Sequence, residues 1–564
     1  MKNHLKSSVC LCLAVMLLVL PARPVSAQDT AESLKAVAVV SVAPGQEMLE
    51  DIGFLTQSAG QPLFGQLAAG FAQPYLQAMD QTKPAGAYVA LDEQMQPTGV
   101  AFAPVTDLDA LLAVMKEQVG EPEDKGNGIL EIATDQPQPM FVKQQGSWAF
   151  FSQNMEKLSG ALPQDPSTIL GDLPQKYSVA VRIYASNVPD VFKQMAKDQI
   201  QQGFDASAAT NDEAVQKLGR NSMKSVYEFV DGTEQITVGW AIDPAKQSTH
   251  IDTSITAVPG TGLARRMAML SETKSKFAGF NIPGAAVSMN VTARSSKEDI
   301  DQSLIVLDTF RQKALEAIDK DKSLANDADK QVAKDVLGSL LDVVQKTAES
   351  GKTDAGASLV LKPGELGFAM GIYVLDGPTL DSAFKKLVAA AKNEPQFPDV
   401  AFDSAKHGEV TFHTVTAPVA DPEAAKLLGD TMDLYVGIGP EALYTAFGTD
   451  GLTLVKQAID DSAANAEETV SPFNLTIALT PIAKFVESMD NDPMAGMVVA
   501  ALEKSTGKDH VVIDGTSIPN GVNYQVKIEA GVLQLIGQMG AMAGAGGPGG
   551  PGGAPPAGLD SEPF

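Results

Sequence analysis

The chain has 564 residues, with 69 acidic against 42 basic side chains and a formal net charge of −27. Its densest basic clusters are Arg265-Arg266 and Lys385-Lys386, so neither a nucleic acid nor another polyanion is an expected partner. At about 150 residues per domain the length suggests two to four domains, ample for a structure held together by burial alone.

Lys2, His4 and Lys6 precede an apolar run from Val9 to Leu20, followed by Pro21 and the small triplet Val25-Ser26-Ala27. That order predicts an export signal over 1–27, cleaved near Ala27, and hence a periplasmic or extracellular location. The run is shorter than the roughly 20 apolar residues of a bilayer-spanning helix; a retained anchor is the alternative. Cys10 and Cys12, the two cysteines of the chain, both fall inside the signal. The mature protein is therefore expected to lack disulfides, cysteine-held metal and a thiol nucleophile.

From Val37 an apolar strand leads into a helix through Glu50-Asp51-Ile52. APVTDLDALLAVMKEQV and NVPDVFKQMAKDQIQQ read as strand-to-helix passages with Thr106 and Asn187 as N-caps. A further helix is expected near Asp212 to Tyr227. In THIDTSITAV, Ile251, Thr253, Ile255 and Ala257 alternate with His250, Asp252, Ser254 and Thr256, which predicts a strand with the apolar set inward. Between Asp299 and Ser350 the stripes Leu304, Leu307, Leu315, Ile318 and Val332, Val336, Leu340, Val343 predict two antiparallel helices joined by DKDKSLANDADK. NYQVKIEA gives a late strand with Tyr524, Val526 and Ile528 inward, and beyond Gly540 a Gly/Pro-rich tail reads as disordered.

The segment from Val37 recurs from Ala285, with Glu298-Asp299-Ile300 answering Glu50-Asp51-Ile52. Four further correspondences follow in order: Val100 to Phe102 with Ile372 to Val374, Trp148 to Leu158 with Asp433 to Leu443, Val181 and Ile183 with Leu475 and Ile477, and Ile251 to Ile255 with Tyr524 to Ile528. The expected fold class is α+β, in two similar halves over 28–272 and 273–540 with largely antiparallel sheets, then a tail over 541–564. The long helical pair and the helix near Asp212 to Tyr227 are expected in one half each. This plan of signal, tandem strand-helix modules and low-complexity tail resembles uncharacterised exported bacterial proteins, a resemblance that implies a setting and no activity.

Motifs of chemistry are sparse. Gly437-Ile438-Gly439-Pro440-Glu441-Ala442 fits GxGxxA after a strand, but its counterpart Ser152-Gln153-Asn154-Met155 has no glycine pair, which favours a structural turn leading into a helix. Gly351-Lys352-Thr353 lacks the upstream glycine of a phosphate loop and reads as a helix C-cap. His407, Glu409, Thr411 and His413 would share one face of a single strand, with the two histidines about 20 Å apart and too far for one ion. Asp490-Asn491-Asp492 lacks the rest of a calcium loop, and Asp107, Asp109 and Asp190 are uninformative in so acidic a chain. The methionines, among them Met267, Met269, Met289, Met489, Met494, Met497, Met539 and Met542, read as core filling, with an adaptable binding surface as the alternative.

No catalytic, cofactor-binding or metal-binding residue is assigned from sequence. The expected role is a non-catalytic exported protein that presents a surface to a protein or envelope component. Its alternatives are a periplasmic carrier of an apolar ligand or lipid, and a hydrolase using His250, His407, His413 or His510.

Overall fold

The computed structural model describes residues 36–545 except 92–94, 134–137, 208–212, 272, 322–326, 393–396, 491–492 and 506. The expected signal with Cys10 and Cys12, residues 546–564 and most of Asp490-Asn491-Asp492 lie outside the described residues. The fold is α+β, 45% helix and 34% strand.

Among the described residues twenty strands pair into one sheet, antiparallel at every junction. The first ten are β1 (Ala36–Val42), β2 (Ala85–Leu91), β3 (Pro97–Pro104), β4 (Glu123–Asp124), β5 (Ile129–Ile132), β6 (Met140–Gln145), β7 (Trp148–Ser152), β8 (Val179–Ile183), β9 (Thr233–Asp243) and β10 (Ser248–Ala257). The second ten are β11 (Val287–Arg294), β12 (Lys352–Lys362), β13 (Glu365–Tyr373), β14 (Asp399–His407), β15 (Val410–Pro418), β16 (Thr431–Gly439), β17 (Ala442–Gly448), β18 (Phe473–Ala478), β19 (His510–Ile518) and β20 (Gly521–Glu529). Their spatial order is 4-5-6-7-3-2-1-8-9-10 and then 20-19-18-11-12-13-17-16-15-14. Counted outward from the β10–β20 seam, each strand of the first half meets its counterpart ten numbers higher.

The helices repeat in the same way. Between the first two strands of each half lies a helical hairpin, α1 (Gly45–Ser58) with α2 (Pro62–Gln77) and α9 (Lys297–Lys320) with α10 (Asp327–Glu349). A single helix follows the third strand, α3 (Leu108–Val119) or α11 (Gly377–Ala391). After the seventh strand comes α4 (Met155–Ser159), then α5 (Leu173–Lys176), in one half and α13 (Gly451–Ala464) in the other. A second hairpin follows the eighth strand, α6 (Asp190–Ser207) with α7 (Glu213–Gly232) and α14 (Leu479–Asp490) with α15 (Pro493–Glu503). Each half ends on a helix, α8 (Gly262–Ala268) or α16 (Ala530–Ala545), and α12 (Pro422–Leu428) is an addition between β15 and β16.

Several sequence expectations are corrected by this order. The pair over 299–350 has a shorter counterpart in α1–α2, and the helix near 212–227 has one in α15, so neither belongs to one half alone. The match of Trp148 to Asp433 is one strand out, because β7 occupies the place of β17 rather than β16. The N-cap of α3 is Asp107, whose carboxylate accepts from the Ala110 N–H at 3.1 Å, rather than Thr106. Asn187 caps nothing; its amide donates to the Ala36 carbonyl at 2.8 Å, and α6 starts at Asp190. The last helix runs on through Ala545, five residues into the segment read as tail, because Ala541 to Ala545 still lack proline.

Aromatic side chains pack the core of each half. Phe102, Phe150, Trp148, Leu170, Leu173 and Tyr177 gather against Ala180 and Ala241 in the first, and Phe277, Phe280, Phe412, Tyr444 and Val455 in the second. In both halves these rings lie over the face of the central strands that carries small and polar residues. Gly239 sits under the Tyr177 ring and Gly371 under Phe277, where a Cβ would come within 2.4 and 2.5 Å of ring atoms respectively. Ser288, Asn290 and Ser358 are buried on that face as well. Asp51 of α1 is buried too and accepts from the Ser178 hydroxyl at 2.5 Å; burial pushes its carboxyl up, against the lowering effect of that bond.

Candidate functional site

With the small residues buried, the branched and aromatic residues of the same strands fall on the opposite face. Antiparallel register sets Trp240 beside Ile251, Ile251 beside Val526 and Val526 beside Ile513, and in the next row Val238, Thr253 and Tyr524. Val181 and Ile183 of β8 extend this face. Ile183, Val238, Trp240, Ile251, Tyr524 and Val526 are between 36% and 47% exposed, although their four strands lie at the middle of the sheet. Ile251, Tyr524 and Val526 were expected inward and are instead among the more exposed apolar residues. Alternation tells which residues share a face; whether that face is covered depends on packing elsewhere.

This floor is about 14 Å wide, three inter-strand spacings of roughly 4.8 Å. It is roofed at one end, where Leu263, Ala264 and Met267 of α8 close over Ile255, Ala257 and Val522. Toward Trp240 and Ile251 it opens. The indole is held in place: its Nε1–H donates to the Thr249 hydroxyl at 2.7 Å, which in turn donates to the Ala241 carbonyl at 2.9 Å.

Beneath the floor, on the buried side, the Tyr177 hydroxyl donates to one oxygen of Asp252 at 3.1 Å and the Gln525 amide to the other at 2.9 Å. Burial, reinforced by the Asp252 charge, pushes the Tyr177 hydroxyl up to about 12. This network crosses the seam between the halves and fixes the strands that carry the floor.

The four histidines among the described residues are scattered among separate carboxylates. His250 Nε2 lies 3.9 Å from Asp252, His407 Nε2 2.7 Å from Asp460, His413 Nε2 2.8 Å from Asp381 and His510 Nδ1 3.5 Å from Glu529. His413 is the most buried, packed between Phe384 and Phe402, with Nδ1 accepting from the Asp403 N–H at 3.1 Å. Both its ring nitrogens are engaged, leaving neither to take a proton from a nucleophile. Its role is to pin a bulge: β14 shifts register between Ala401 and Ala405, and Asp403 there has φ +51°. Among the described residues no serine hydroxyl bonds to any of the four rings, and no three His, Cys, Asp or Glu side chains converge on a metal position.

His407 and His413 do not share one strand. Gly408, at φ +55°, turns the chain between β14 and β15, so they lie on opposite arms of a hairpin. Gly437 to Ala442 is likewise a hairpin, between β16 and β17, with Pro440-Glu441 at its tip and no helix after it. Gly351 closes α10 at φ +63° before β12 begins. Met267 is core, whereas Met489, Met494, Met497 and Met539 are exposed, so core filling does not describe the methionines as a class.

No family model matches the chain, and no curated protein matches it. The exposed floor carried one signal in the sequence: small residues such as Gly239 and Ala241 alternate with Val238 and Trp240, leaving room for aromatic cover on one side only.

Proposed function

We propose that this is an exported, non-catalytic carrier that holds an apolar ligand of lipid type on the floor made by Ile183, Val238, Trp240, Ile251, Tyr524 and Val526. The observation that carries the reading is the half-exposure of these six residues on four adjacent strands at the centre of the sheet. Full burial of each large apolar side chain is worth about 1.5–3 kcal/mol, so a ligand that completes the cover recovers several kcal/mol. The polar atoms around the floor are few, as in sites for apolar molecules. Catalysis gains no comparable support, since the histidines stand apart from one another and from any hydroxyl nucleophile among the described residues.

Native mass spectrometry of protein purified from its own envelope tests this. The expected spectrum shows a lipid-sized adduct that disappears in Ile251→Glu while the melting temperature is kept. A bare mass for the wild-type chain under conditions that preserve non-covalent complexes contradicts it.

A further inference from the structure

His413 of β15 is wholly buried, its ring set between Phe384 of α11 and Phe402 of β14. Its contacts fix its protonation state. Nδ1 accepts from the Asp403 N–H at 3.1 Å and so carries no proton; the proton of the neutral ring sits on Nε2, which donates to Asp381 at 2.8 Å. An imidazolium would set its Nδ1–H against the Asp403 N–H, and the backbone would have to withdraw.

The charged surroundings favour such an exchange. Two carboxylates face the ring: Asp381 at Nε2 and Asp403, whose Oδ1 lies 3.9 Å from Nδ1. Lys385 of α11 bridges them, 3.0 Å from Asp381 Oδ2 and 3.2 Å from Asp403 Oδ1. β16 sets the uncharged Val436 beside His413, whose chain neighbours are Phe412 and Thr414. With a neutral ring the group holds one net negative charge, which a proton on His413 cancels. Asp403 has a partner for either form of the ring: its N–H suits the neutral one and its carboxylate the charged one.

The movement would fall on the bulge. Ala401 pairs with Thr414 and Ala405 with Phe412, so residues 402–404 span a single residue of β15, His413 itself. Asp403 is held there at φ +51°, a conformation few residue types other than Gly, Asn and Asp adopt readily. Among the described residues β15 is the one strand paired with β14, so the bulge lies on an outer edge of the sheet.

We infer that His413 is a proton-sensitive catch on this edge: neutral, it holds the 402–404 bulge closed, and protonated, it passes Nδ1 to the Asp403 carboxylate and lets the bulge open. Histidine is the side chain whose charge ordinarily changes between about pH 5 and 8. On opening, Phe402 loses the ring it packs against, and the irregularity that blunts the edge is released. The inference stands apart from the carrier reading and needs no ligand.

Hydrogen exchange followed by mass spectrometry on the whole chain tests it, with protection factors compared at about pH 8 and about pH 5 so that the intrinsic pH dependence of exchange drops out. Residues 399–407 should lose at least about tenfold in protection at the lower pH, because one proton taken up on opening shifts that equilibrium by up to about tenfold per pH unit. β10 and β20, at the seam, should keep theirs. His413→Gln offers an oxygen to the Asp403 N–H and an amide to Asp381 without titrating, so its bulge should stay protected at both values. Asp403→Asn keeps the backbone N–H and tolerates positive φ, and removes the carboxylate that receives the charged ring; its bulge should need a lower pH to open. That variant decides the question if the glutamine one does not fold. Equal protection of the wild-type segment at both values overturns the catch. So does a loss that His413→Gln reproduces, a loss shared by β10 and β20, or an Asp403→Asn bulge that opens at the wild-type pH.

Discussion

At the scale of residues, the structure turns on where small side chains sit. Gly239 exists to admit the Tyr177 ring, and with that ring in place the Trp240 side of β9 is left to the floor. Gly239→Ala should destabilise the protein by roughly 1–3 kcal/mol, because its Cβ has no room beneath an aromatic ring held by Asp252. Urea melts check this, and Tyr177→Phe, which keeps the ring and drops the hydroxyl, should cost less. The sequence showed that Ile251, Thr253 and Ile255 share a face. It did not show that the face stays open, because the ring that fills the other side comes from Tyr177, 75 residues before Asp252.

Among the elements, helices were more legible than turns. The pair read between Asp299 and Ser350 appears as α9 and α10 within a few residues, since long apolar stripes leave little ambiguity. The hairpins at Gly408 and at Pro440-Glu441 were missed because each two-residue turn lies inside a run that alternates on both sides. One cap ties two elements together: Asp376 accepts from the Thr379 N–H at 3.0 Å at the start of α11 and from Lys346 of α10 at 2.8 Å. The Lys346 ammonium first, and then the Thr379 N–H, holds its carboxyl down at about 2. A depressed carboxyl contributes stability above its unfolded value, and loses it as pH falls toward its folded value. Asp376→Ala should therefore cost about 1 kcal/mol at neutral pH, with the gap to wild type narrowing from about pH 4 downward and closing near pH 2, as thermal melts across that range would show.

For the molecule as a whole, the two halves meet edge to edge, so the floor belongs to neither. Ile183, Val238, Trp240 and Ile251 come from the first and Tyr524 and Val526 from the second. The outer edges are defended instead of paired. β4 at one end is only Glu123 and Asp124, and β14 at the other is bulged at Asp403, devices that discourage edge-to-edge association. Four of the five segment pairs matched in the sequence lie on strands equally far from the β10–β20 seam, whereas Trp148 and Asp433 do not. The matches gave nothing about the seam, since pairing between the last strands of two halves leaves no mark in either.

The carrier reading is tested most directly at Trp240. Of the two tryptophans, Trp148 is core, at 3% exposed, and Trp240 lies on the floor. In a Trp148→Phe variant, a brominated fatty acid should quench the emission of Trp240 in a saturable manner, and Ile251→Glu should abolish the effect. Emission that stays unquenched at saturating fatty acid, or quenching that Ile251→Glu leaves intact, would contradict a ligand on this floor.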